Sequence, residues 1–294
     1  MRIVSLLPSA TDIIADLGLI DSIVGISEDC NWPPEIKEKP LVARVTLDVS
    51  NMSSAEIDAA VMASATVGHS IYAVDAQLMD ELKPDLIITQ ELCEVCAVSS
   101  GDLDSACPIG IEIFSMNPRT LDDVIESVIT LAAKLGVKER GEAVASKMRS
   151  RISTVRTETS SLCWPRVFVA EWIDPPYRAG HWLPEMVEAA GGENLLSKAG
   201  EYSYPTTWEY VLDQSPDLIV IAACGFNLDQ ALSHCKDLRL PVRTVVVDGD
   251  AYFSRPAPRI ADGVEQLAQL FHPEIYTSTK FPHLELSQRS ETLI

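Results

Sequence analysis

Positive charge is scarce in this chain. Lysine and arginine together number 23 against 43 aspartates and glutamates, a formal net charge of −20. Such a balance disfavours nucleic acid and anionic membrane as partners, although a local pocket can still oppose the global sign. Cysteine is too thin for a disulfide scaffold: seven residues, an odd number, in 294. No apolar run approaches the length of a membrane span. Aromatics make up only 6% of the residues. There is no G-x-S-x-G elbow, phosphate-binding glycine loop or H-E-x-x-H pair, so no familiar catalytic set presents itself.

What is present is an alternation of short β-rich apolar runs with helical patterns, which defines parallel α/β layers. "RIVSLL" reads as a first strand and "PSATDIIADLG" as a helix, with Ser9 and Asp12 at capping-box spacing and Gly18 as its stop. "IVGIS" (Ile23 to Ser27) is a second strand, and "SSAEIDAAVMA" a helix opened by Ser53 and Glu56. "PDLIIT" (Pro84 to Thr89) is a strand that "PDLIVIAA" (Pro216 to Ala223) nearly repeats. "RVFVAEWIDPP" is a strand and loop, followed by a helix in "HWLPEMVEAAGG". The chain therefore divides into two similar lobes, residues 1–137 and 163–276, with a helical connector over 138–162 and an unpatterned, disordered tail over 277–294. Thr120 with Asp123 caps the helix before the connector and Gly136 breaks it. Val144, Met148, Ile152 and Val155 then form the connector's apolar stripe, and its basic residues a solvated face.

These motifs carry a resemblance. "RIVSLLPSATDIIADLG", the paired "KPDLII" and "SPDLIV" strands and the connecting helix resemble the helical-backbone (class III) periplasmic-type substrate-binding proteins. Within that family "SLLPSAT", "EDCNWPP", "ELCEVCAV" and "YFSRPAPR" look most like the cobalamin-binding subgroup of ABC-importer receptors. The resemblance covers roughly residues 2–273. It implies two Rossmann-like lobes, each with a central sheet, joined by a long rigid helix, with a ligand cleft between them. It also implies a corrinoid, haem, iron-siderophore or metal ligand. Importer receptors further resemble one another in a surface glutamate on each lobe that pairs with the permease. Here the first position is Gln77 and the second Glu209, which also fits a capping box begun by Thr206. With one docking charge missing and no export signal ahead of strand one, productive docking on a permease is doubtful. The expectation is a cytoplasmic carrier, store or sensor; the alternatives are an exported receptor or an enzyme on the same scaffold.

Candidate ligand-binding residues lie in loops that should follow strands: Ser9, Trp32, Tyr72, Glu91, Cys93, Cys96, Trp172, Tyr177, Trp182, Tyr252, Phe253 and Arg255. Tyr202, Tyr204 and Trp208 belong to the same aromatic set. Aromatic faces stack on a flat ring while polar groups meet its arms. Arg255 and Arg259 either hold an anionic group of the ligand or offset Asp248, Asp250 and Asp262. Glu171 and Asp174 accept hydrogen bonds or a metal. Cys93 and Cys96, spaced as C-x-x-C, form half of a zinc shell if His69, His181 or a carboxylate completes it. Either cysteine is also a nucleophile if one of those histidines serves as base. Acidic neighbours disfavour the thiolate, so Glu91, Cys93 and Cys96 are read as the rim of a binding cleft, with zinc the alternative.

Overall fold

The computed structural model describes residues 1–66, 70–90, 98, 110–277 and 280–286. It separates into two compact units: Met1–Met52, Glu56–Pro118 and Val124–Ser146 in the first; Ser53–Ala55, Arg119–Asp123 and Lys147–Ile294 in the second.

In the first unit, β1 (Ile3–Ser5) leads into α1 (Pro8–Asp16), followed by β2 (Ile23–Ser27) and β3 (Leu41–Val45). Then come α2 (Ser54–Thr66), β4 (Tyr72–Val74), α3 (Ala76–Leu82), β5 (Leu86–Thr89) and β6 (Glu112–Ser115). The sheet runs in the order β4-β3-β2-β1-β5-β6, parallel except for the antiparallel β3–β4 pair. Strand addition reverses at β1–β5, the topological switch point outside whose carboxyl ends open α/β sheets bind ligands. Val4, Leu6, Val42, Met79 and Ile87 form the core beneath it.

Residues 120–159 form two helices, α4 (Leu121–Lys134) and α5 (Lys138–Thr159), with Gly136 between them in the left-handed region at φ 76°. Thr120 and Asp123 make the expected reciprocal cap: the Asp123 N–H donates to Thr120 Oγ1 at 3.1 Å and the Thr120 N–H to Asp123 Oδ2 at 2.9 Å. The buried stripe of α5 is Gly141, Ala145, Met148, Ile152 and Val155, with Val144 half-buried. Gly141 is the close approach, since a Cβ there would stand 2.3 Å from Ala132 Cβ and 3.1 Å from Val128 O.

The second unit holds β7 (Arg166–Ile173), β8 (Pro176–Arg178), α6 (Leu183–Ala189), β9 (Glu193–Asn194), β10 (Tyr204–Pro205) and α7 (Trp208–Asp213). It continues through β11 (Leu218–Ile221), α8 (Leu228–Cys235), β12 (Arg243–Val247), α9 (Gly249–Tyr252), α10 (Ile260–Phe271) and β13 (His283–Glu285). Its sheet order is β10-β8-β7-β11-β12-β13, with β9 on the start of β7. β7, β11 and β12 are parallel; β8, β10 and β13 add antiparallel edges. Phe168, Ile219, Ile221 and Val246 anchor the core, with Trp208 edge-on to Phe168 at 6.2 Å.

Three local expectations are corrected. Ser9 is not the cap of α1: Leu7 is, without a side-chain bond, and Pro8 opens the helix. Proline suits that first position because it has no N–H to leave unpaired. Likewise Thr207, not Thr206, caps α7, accepting from the Tyr210 N–H at 3.2 Å. Glu209 is therefore not the capping-box residue and stands exposed in the first turn. Finally, the stretch from 277 contributes a strand. Phe281 is buried, β13 pairs with β12, and Lys280 reaches Asp262 Oδ1 at 3.1 Å. Arg151, on the supposedly solvated face of α5, joins Asp262 and also Glu265, at 2.7 Å each.

Candidate functional site

Glu171 sits where β7 bulges between Ala170 and Trp172. Its Oε2 accepts the Gly180 N–H at 3.0 Å and a short bond from the Ser203 hydroxyl. Gly180 makes that tie possible, because a Cβ there would lie 2.6 Å from Ser203 N and 2.7 Å from Glu201 O. With Ser203 turned inward, its neighbours on an extended chain turn outward. Tyr202 and Tyr204 are accordingly 43% and 44% exposed. β10 lies on β8, Tyr204 opposite Arg178, and β8 lies along the carboxyl-terminal half of β7. Both exposed rings, termed the shelf, belong to the stretch added through β8 beside the carboxyl-terminal half of β7, where α/β folds present ligands.

Each shelf ring carries a guanidinium. Arg119 lies 4.7 Å from the Tyr202 centroid and donates to its hydroxyl at 2.5 Å; Arg178 lies 5.0 Å from the Tyr204 centroid. His181 meets Tyr202 edge-on at 5.5 Å, and its Nε2 is buried with no hydrogen-bond partner among the described residues. Burial, and then the charge of Arg119, push the imidazole pKa down, favouring the neutral form.

The residues singled out from sequence fall into separate places. Phe253 is fully buried, and the Trp182 indole, also buried, donates to the Phe253 carbonyl at 2.8 Å. Both side chains are enclosed by protein, an inward orientation that their proline-rich flanks hid. Tyr72, on β4, packs in the first unit's core. Arg255 is buried and grips Asp250 at 2.7 and 2.8 Å. Tyr252 is half-buried, with Phe281 edge-on at 5.7 Å and Arg259 at 5.1 Å from its ring. Trp172 and Tyr177 face each other across β7 and β8. The Trp172 indole donates to Ser54 O at 3.0 Å and its ring lies 5.0 Å from Phe226.

Trp32 is 40% exposed in the loop after β2. Ser9, second residue of α1, is buried, its hydroxyl without a hydrogen-bond partner among the described residues. Thr11 Oγ1 donates to Ser5 Oγ at 2.8 Å and contacts Cys30 Sγ at 3.1 Å, tying β1, α1 and the loop after β2 together. Glu91, Cys93, Cys96 and His69 lie outside the described residues. Among the described residues no three His, Cys, Asp or Glu side chains gather as a metal shell, and no helix is long and apolar enough to cross a membrane.

The two α/β sheets define a binding-protein architecture, and a family model described as periplasmic binding protein matches residues 3–236. The chain belongs to that family. The vitamin B12-binding protein of Vibrio cholerae is 27% identical over 277 residues, covering 90% of this chain and 87% of that one. The cobalamin-binding protein of Halobacterium salinarum is 26% identical over 284 residues, covering 92% and 69%. Among solved structures, a periplasmic heme binding protein from Pseudomonas aeruginosa superposes with a TM-score of 0.69 at 20% identity, covering 98% of this chain and 95% of the other. The periplasmic vitamin B12 binding protein BtuF of Vibrio cholerae gives 0.61 at 22% identity, covering 95% and 98%. These structural likenesses are of fold.

Proposed function

We propose that this protein binds a flat macrocyclic small molecule of the corrinoid class, and that the Tyr202–Tyr204 shelf of the second lobe is one of its contact faces. The carrying observation is the pair of large exposed rings flanking the Ser203–Glu171 bond at the antiparallel edge of a mixed sheet. Trp172, Tyr177 and Tyr252 are the other second-lobe candidates, and Trp32 and Ser9 those of the first. The relatives named for cobalamin and vitamin B12 support the ligand class. Titration of the purified protein with cyanocobalamin, followed by absorbance and tryptophan quenching, tests it. Tyr204→Ala is expected to weaken binding by about 1–3 kcal/mol, as for exposed aromatic anchors. Unchanged affinity in that variant removes the shelf from the site.

The finer part of the proposal is a cytoplasmic carrier, store or sensor in place of delivery to a permease. It is supported by Gln77, an exposed neutral residue whose amide donates to Glu81 Oε1 at 2.9 Å, where importer receptors resemble one another in a glutamate. Glu209 keeps the charge at the second position, and charge pairs chiefly steer encounter. A vitamin B12-type permease in nanodiscs should therefore bind wild type weakly and Gln77→Glu more tightly. Tight, salt-sensitive binding of wild type would defeat this reading. Fractionation of the native cells tests the compartment directly.

A further inference from the structure

Tyr252, one of the second-lobe candidates for ligand contact, closes α9, a helix of four residues. A single helical turn has little persistence of its own, so the position of its last side chain must come from what packs around it. The backbone is held closely. Asp248 caps α9 by accepting the Ala251 N–H at 2.8 Å, and a Cβ on Gly263 of α10 would stand 2.4 Å from the Tyr252 carbonyl oxygen. The half-buried ring has Arg259 at 5.1 Å from its centroid and Phe281 at 5.7 Å, the two aromatic planes 75° apart. Edge-to-face contact of this kind is a preferred arrangement of aromatic pairs.

Phe281 is itself built in. It is buried, and Lys280 Nζ lies 4.5 Å from its centroid. Lys280 reaches Asp262 Oδ1 at 3.1 Å and Glu265 Oε2 at 3.6 Å, both on α10, and the Gln266 side-chain amide of that helix donates to the Pro282 carbonyl at 3.1 Å. β13 follows at once, His283 standing opposite Val247, the last residue of β12. The antiparallel register therefore carries Phe281 past the carboxyl end of β12, toward α9. Closing this stretch over α10 is not free of cost: Gln266 is fully buried, and its Oε1 has no hydrogen-bond partner among the described residues. The pairing of β12 with β13 does not need residues 280–282. What those residues add is a fixed ring against Tyr252.

Resting on the reading of Tyr252 as a ligand contact, we propose that Phe281 is a positioning residue for ligand binding. Residues 280–282 strap it across α10, and it holds the Tyr252 ring in the orientation that a flat ligand meets. Phe281 acts through Tyr252 and need touch no ligand. A ring already held in its bound orientation loses less freedom when the ligand arrives, whereas ordering a loose one is subtracted from affinity.

The test is equilibrium titration of the full chain with cyanocobalamin, comparing wild type, Phe281→Leu, Phe281→Tyr, Tyr252→Leu and Phe281→Leu/Tyr252→Leu. Leucine keeps an apolar side chain at position 281 and removes the ring. Phe281→Leu should bind about two- to tenfold more weakly, the scale of an edge-to-face pair, and Phe281→Tyr, which keeps the ring, should stay within about twofold of wild type. In the Tyr252→Leu background Phe281→Leu should weaken binding no further, the signature of one residue acting through the other. Amide exchange across β12 and β13 reports whether the strap stays seated in each variant. Even where it loosens, the effect of Phe281→Leu on affinity must vanish once Tyr252 is replaced. Additive losses in the double variant, or wild-type affinity in Phe281→Leu beside a weakened Tyr252→Leu, overturn the inference and leave Tyr252 in the site. Wild-type affinity in Tyr252→Leu removes Tyr252 from the site and the inference with it. Failure of wild type to bind cyanocobalamin defeats the ligand reading and the inference together.

Discussion

His181 holds a left-handed backbone at φ 52°, fixed by its N–H to Glu201 O at 2.7 Å and by the Gly200 N–H to its own carbonyl at 3.0 Å. Non-glycine residues in that region are strained and persist where neighbours over-determine them. Its pKa is lowered first by burial and then by Arg119; that of His234 is lowered by burial and then by Lys236. With folded values below the unfolded value of about 6.5, the unfolded chain takes up protons first as pH falls. Stability is then full above that pH and declines below it. Urea midpoints should therefore fall between pH 7.5 and 5.5, with a shallower slope in His181→Asn/His234→Asn. An identical slope would assign the dependence elsewhere. At the same scale, Phe253→Ala should cost about 3–5 kcal/mol by denaturant unfolding, as large core truncations do. Tyr204→Ala should stay within about 1 kcal/mol, as exposed substitutions do.

Among the elements, α4 and α5 approach closely at Gly141, where a side chain is absent. Alanine at position 141 gains about 1 kcal/mol of helix propensity over glycine. Its Cβ would nonetheless overlap Ala132 Cβ and crowd the α4 backbone. Gly141→Ala is therefore expected to destabilise by about 1–3 kcal/mol net, the cost of overpacking, read as a shifted urea midpoint with unchanged slope. A neutral or stabilised variant would mean the helices separate freely. Elements with strong periodicity or long apolar runs were legible from sequence, as with β5, β11, α4 and the glycine stop at 136. β8, β10 and β13 were not, because two- and three-residue strands containing proline, tyrosine and charge carry no period of two. The site was harder. Phe253 and Tyr204 look alike in sequence, each an aromatic near proline; only Ser203 bonding to Glu171, 32 residues away, sends Tyr204 outward. Arg119, 83 residues from Tyr202, gave no local signal at all.

Across the whole molecule the excess of 20 negative charges is a self-repulsion that the fold must offset. Screening shortens from about 30 Å at 0.01 M salt to about 8 Å at 0.15 M. Sodium chloride should therefore raise the thermal midpoint across that range, by scanning fluorimetry. A flat or falling midpoint would mean that local ion pairs such as Arg151 with Asp262 and Glu265 outweigh the overall charge.

β13 gives the C-terminal segment a guarding role. Its partner β12 ends in three fully buried valines, Val245–Val247. With His283–Glu285 in place, and Arg243 clasping Glu285 at 2.8 Å, the outermost strand is short, half polar and charged. Take the segment away and those valines become a bare, sticky border, able to recruit the same border on another molecule. A chain ending at Thr277 should accordingly lose solubility before it loses its helices. Light scattering should rise with concentration while far-ultraviolet circular dichroism stays near that of the intact protein, and a monodisperse truncated chain would show that the border is protected in some other way.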